Sequence, residues 1–151
     1  MKHTLRSHCA GDKEIPAHLQ KEIVAAIAAL TVKPARGGAR RLREVFLANL
    51  KGAGWSSEVD VSKDSGMTIT SMKDEVGLCL QTGNMARIYA DLIKLQTLYL
   101  DDAIKAAAIV VPSQPVAMLL GSNVAQATRL ERELEIFKKA YHVPTLVFAL
   151  E

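Results

Sequence analysis

Apolar side chains recur along this chain in two rhythms. Leu19, Ile23, Val24, Ile27 and Leu30 follow Pro16 at helical spacing and predict a helix over residues 16–30. Lys33-Pro34-Ala35-Arg36-Gly37-Gly38 breaks the pattern. Leu42, Val45, Phe46 and Leu50 then give the inner face of a second helix over 39–51, ended by Gly52 and Gly54. The middle of the chain alternates instead. Residues 56–62 place Val59 and Val61 on one face and Glu58, Asp60 and Ser62 on the other, and residues 67–72 alternate again. Lys73-Asp74 offers a hairpin turn, and Val76 to Gln81 is an apolar run bounded by Gly83-Asn84 that reads as a buried strand.

The helical rhythm returns over residues 85–101, where Met85, Ile88, Leu92, Leu95 and Tyr99 share a face. Ala106 to Val111 reads as a buried strand stopped by Pro112. Asn123 opens a helix expected to reach Tyr141, with Leu130, Leu134 and Phe137 inward, and Thr145 to Leu150 reads as a last strand. A three-strand meander followed by a β-α-β-α-β passage predicts an α/β fold, a mixed sheet flanked by helices on both faces. Residues 1–14 are polar and without period, which predicts a flexible N-terminal arm ahead of a single domain over 15–151.

Composition narrows the class. Of 151 residues 49% are hydrophobic, too many for a disordered chain. No run of about 18 uncharged apolar residues exists to span a membrane, and no apolar stretch follows the basic start as a secretory signal requires. Cys9 and Cys79 have neither CxxC nor zinc spacing, so free thiols in a reducing cytoplasm are expected. The net charge of +3 is mild, but between Lys33 and Lys51 six basic residues stand against one acid, Glu44. Arg36, Arg40 and Arg41 surround the Gly-Gly joint, where arginines suit phosphate contacts; a solvated helix face is the alternative. Trp55 is expected in the core. The phosphate-loop, dinucleotide, nucleophile-elbow and zinc-protease motifs are missing, and the four histidines are scattered.

The segment Val76-Gly77-Leu78-Cys79-Leu80-Gln81-Thr82-Gly83-Asn84-Met85-Ala86-Arg87, continuing to Gln96, resembles the core of the BglII-type restriction endonucleases, which have the PD-(D/E)XK nuclease fold. The likeness extends architecturally over about residues 39–150. It implies a restriction-endonuclease-like mixed sheet, Mg²⁺-dependent cleavage of double-stranded DNA, and a homodimer. In the family an apolar strand carries Glu-x-Gln ahead of a Gly-Asn turn, with an Asp on the preceding strand. Matched residue by residue, Gln81 keeps its position, Cys79 stands where the Glu belongs, and Thr70 where the Asp belongs, within a register step or two.

Mg²⁺ seeks hard oxygen ligands, one or two carboxylates with water. A thiol and a neutral hydroxyl are poor substitutes. Cys79 as a nucleophile has no histidine near it in sequence, and a mid-strand Cys is more commonly a small buried hydrophobe. Three readings follow. The first is a restriction-endonuclease-like DNA-binding domain that has lost cleavage. The second is an active endonuclease with relocated carboxylates, for which Glu58, Asp60 and Asp74 are candidates against the simpler reading of solvated charges. The third is a protein–protein module that kept the fold.

Overall fold

The computed structural model describes residues 1–151. In chain order the elements are β1 (His3–His8), α1 (Gly11–Glu14), α2 (Ala17–Ala28), α3 (Ala39–Gly52), β2 (Val59–Asp60), β3 (Thr68–Ile69), β4 (Ser71–Lys73), β5 (Val76–Leu80), α4 (Arg87–Leu100), β6 (Ala106–Pro112), α5 (Gln114–Leu120), α6 (Ala127–Phe137) and β7 (Thr145–Leu150). Five strands form a mixed sheet in the order β1-β7-β6-β5-β4. The three central strands are parallel and the two edges antiparallel. β2 and β3 make a separate two-stranded ribbon.

The parallel strands are buried along their whole length, as crossover helices on both faces require. Strand alternation then divides the core in two. Val76, Leu78 and Leu80 of β5 pack with Leu19, Ile23 and Ile27 of α2 and with Leu42, Phe46 and Leu50 of α3. Cys79, Ile109 and Val147 face the other way, onto Ile88, Leu92 and Leu95 of α4 and Leu130 and Leu134 of α6. Gly77 lies on that second face. A Cβ there would come within 3.1–3.2 Å of Leu95, Ile104 and Ile69, so its absence lets α4 seat close to the sheet. Trp55 is buried as expected, and its indole N–H donates to Glu22. No helix is long and apolar enough to cross a membrane.

The expected N-terminal arm is instead structured. His3 to His8 form β1, paired antiparallel with β7 from His3↔Leu150 to His8↔Thr145. The strand is illegible in the side chains because most of it is exposed at the sheet edge, and the backbone ladder holds it. Gly11 then crosses β7 so closely that a Cβ would sit 2.2 Å from the Thr145 carbonyl carbon. The expected strand over 56–62 shrinks to Val59–Asp60, because Ser56 leaves the ribbon: its amide donates to the Met72 carbonyl and its hydroxyl accepts from the Met72 amide. The strand expected over 67–72 divides at Thr70, where the chain passes from the ribbon into the main sheet. The helix expected to open at Asn123 starts at Ala127, since Asn123 has positive φ and Val124 bridges to Asn84. α5 was hidden in an apolar stretch without period.

Candidate functional site

A cleft of about 560 Å³ opens at the C-terminal end of β5, between the N-terminal halves of α3 and α4 and the ribbon. Open α/β sheets place ligands beyond the carboxyl ends of their strands. Thr70 and Gln81 line it, together with Arg40, Arg43, Arg87, Asp91 and Lys94.

The ladder between β4 and β5 ends at Ser71↔Leu78, which leaves Thr70 one step further, across from Cys79. There the Thr70 hydroxyl takes over from the backbone and accepts the Leu80 amide at 3.0 Å. Cys79 shares a strand face with Gln81 but sits beneath the cleft, 1% exposed. Burial pushes its thiol well above the ordinary range, so it stays protonated. Gln81 spans two partners. Its Nε2 donates to Asp91 Oδ2 at 2.6 Å and its Oε1 accepts the Gly83 amide at 3.0 Å.

Asp91 is the only carboxylate in the lining. Burial pushes its pKa upward, opposed by the Gln81 hydrogen bond and by Lys94, whose Nζ lies 3.6 Å from Oδ1. Four cations line the same cleft. Arg43 donates to the Leu80 carbonyl at 3.2 Å and pairs with Glu58 at 3.1 Å. Arg40 pairs with Glu44 at 3.0 Å. Arg87, the first residue of α4, takes part in no ion pair.

The residues expected from sequence therefore separate. Arg40 reaches the cleft. Arg41, one step round α3, faces Glu44 at 3.7 Å, and Arg36 lies beside Met118, Leu119 and Ser122 in a neighbouring groove. Glu58 touches the site only through Arg43. Asp60 is exposed on the ribbon. Asp74 is in the turn at the opposite end of β5, paired with His18 and about 20 Å from the cleft by strand rise. Sequence reasoning missed Arg43, Arg87, Asp91 and Lys94 as site residues. The last three recur at spacings of four and three, a polar stripe on a helix otherwise read for its apolar face.

This donor set does not suit Mg²⁺. It holds one carboxylate, already engaged by Gln81 and Lys94, beside a hydroxyl that is itself hydrogen-bonded and a protonated thiol. Nowhere in the fold do three His, Cys, Asp or Glu side chains gather to hold a metal. The arrangement suits an anion.

The family model of restriction endonucleases BglII/BglIII matches residues 4–150. The crystal structure of restriction endonuclease BglII complexed with a DNA 16-mer superposes with a TM-score of 0.82 at 16% identity, covering 99% of this chain and 76% of that one. The crystal structure of free BglII gives a TM-score of 0.77 at 15% identity, covering 100% and 80%. No curated protein matches the sequence.

Proposed function

Because the chain belongs to the BglII/BglIII restriction endonuclease family, we propose that it is a restriction-endonuclease-like domain that binds double-stranded DNA in the cleft at the end of β5 and no longer cleaves it. The observation that carries this reading is the lining itself. Arg40, Arg43, Arg87 and Lys94 stand around a single carboxylate where hydrolysis would need a pair of metal ligands. Phosphates are the natural occupants of such a site, and their contacts set affinity without choosing sequence. The BglII structure solved with a DNA 16-mer is consistent with this use of the fold. Mg²⁺ has no part in it, and the chain acts as one domain in the reducing cytoplasm, where Cys9 and Cys79 stay free thiols.

A homodimer belongs to the same proposal. Ile93 and Leu100 of α4 and Phe137 of α6 are exposed together around an apolar groove. Asp101 and Asp102 after α4 and Lys138 and Lys139 after α6 give a second copy complementary charges on the same segments. Light scattering at micromolar concentration should give twice the mass of one chain.

The function is tested by incubating the protein with supercoiled plasmid and with labelled duplex, each with Mg²⁺ and with chelator. Expected is duplex binding that weakens steeply with salt, with intact plasmid throughout. Nicking that requires Mg²⁺ would instead establish an active endonuclease. Neither binding nor nicking would leave a protein–protein module.

A further inference from the structure

We infer that the cleft seats a DNA phosphate directly on Arg87, with no divalent cation bridging the nucleic acid to the protein. The inference rests on the DNA-binding reading and makes it specific. Three of the four cleft cations are already engaged. Arg40 is held by Glu44, Arg43 by Glu58 and the Leu80 carbonyl, and Lys94 by Asp91. Arg87 has no carboxylate within ion-pair distance and its guanidinium makes no hydrogen bond within the chain.

Its exposed guanidinium lies beside Gln81. One guanidinium nitrogen, Nη1, lies 3.6 Å from the point where Gly83 would carry a Cβ, and Gln81 Oε1 lies 3.0 Å from the same point. The missing side chain at Gly83 thus leaves Arg87 alongside Gln81 at the mouth of the cleft. Arg87 also opens a 14-residue helix whose N-cap, Ala86, has no capping side chain, so the positive end of the helix adds to the field at that point. A guanidinium fork matches two phosphate oxygens.

The site also disfavours the alternative occupant. The positions matched to the family's metal ligands carry a hydroxyl that is already hydrogen-bonded and a buried soft sulfur, neither of which is the hard carboxylate oxygen that Mg²⁺ seeks. A divalent cation entering the cleft meets four positive side chains and one carboxylate that is already shared. A phosphodiester meets the same groups with the opposite sign. Direct contact therefore replaces the metal bridge.

The test is fluorescence anisotropy of the full chain with a labelled mixed-sequence duplex, in chelator and in millimolar Mg²⁺ at matched ionic strength. Affinity in chelator should equal or exceed that in Mg²⁺. Arg87→Ala should weaken binding about tenfold and lower the salt slope by about one. Arg87→Lys should recover part of the loss, since the charge remains and the fork does not. Arg40→Ala, whose charge is shared with Glu44, should weaken binding less than Arg87→Ala does. A tenfold gain in affinity on adding Mg²⁺, or an unchanged Arg87→Ala variant, would overturn the inference while leaving DNA binding in place. No binding under any of these conditions would overturn both it and the DNA-binding reading.

Discussion

The two ends of β5 treat charge in opposite ways. At its N-terminal end, around the hairpin turn, each cation meets a carboxylate. Lys73 pairs with Glu22 at 2.8 Å and Lys105 with Glu75 at 2.9 Å, and a His18 ring nitrogen lies 3.6 Å from Asp74. The Lys73 pair is the most enclosed. Its ammonium also donates to the Ala53 carbonyl, and Glu22 accepts the Trp55 indole N–H, so α2, β4 and the end of α3 are tied at one point. At the C-terminal end Arg40, Arg43 and Lys94 are held by Glu44, Glu58 and Asp91, and Arg87 is left over in a cleft lined by one carboxylate. Matched charges at the first end serve the fold. The unmatched Arg87 at the second end, amid an excess of positive charge in the cleft lining, is open to a polyanion, as a binding surface requires.

The contrast breaks most sharply at the cleft. Arg43→Ala together with Arg87→Ala should reduce duplex affinity by more than the about tenfold loss of Arg87→Ala alone, in a titration at fixed salt. The melting temperature should fall only slightly, reflecting the lost hydrogen bond to the Leu80 carbonyl. The mirror experiment is Glu22→Gln. It should cost about 2 kcal/mol of unfolding free energy at neutral pH and leave DNA affinity unchanged, as read by urea unfolding and the same titration. The sign with pH follows from the hydrogen bonds of Lys73 and Trp55, which hold the Glu22 carboxyl below its ordinary value near 4.5. Its contribution is complete above that value and is lost as pH falls through the folded-state pKa. The wild type and the variant should therefore converge in acid.

Asp91 sharpens the comparison in the opposite direction. Burial raises its pKa, so the ionised form is penalised in the folded state. That penalty is absent below the ordinary Asp pKa near 3.8, where folded and unfolded chains are both protonated, and is fully present once pH exceeds the raised folded value. Asp91→Asn should therefore stabilise the protein by about 1 kcal/mol at pH 7, with the gain vanishing toward pH 3 in thermal unfolding. It should also tighten DNA binding modestly, because the cleft loses its one negative charge. The smallest effect belongs to Lys105→Ala. Its pair with Glu75 is open to water, and neither the melting temperature nor DNA affinity should move measurably.

How much of this was legible in the sequence depended on what each segment buries. β5, β6 and β7 read as continuous apolar runs because both of their faces are covered, and α2, α3 and α4 show their stripes because each packs on one side. β1 was unreadable for the converse reason: an edge strand with exposed side chains carries no pattern, only a backbone ladder. α5 is seven residues between Ser113 and Gly121, too short for a helical period to stand out. In the cleft, Thr70 and Gln81 were reachable through the family resemblance, and Arg40 through the charge run. Asp91 and Lys94 were not, because the apolar face of α4 dominated the reading of that helix, while their polar face meets Gln81 only once the sheet is assembled.

The most direct test of the contrast between the two ends of β5 is hydrogen–deuterium exchange of the full chain with and without a saturating mixed-sequence duplex. Protection is expected in the segment carrying Arg40 and Arg43 and in the segment from Gln81 to Lys94, with the hairpin around Asp74 and Glu75 unchanged. Protection confined to the hairpin end, or no change in the cleft segments despite bound DNA, would contradict the assignment of this cleft as the DNA seat.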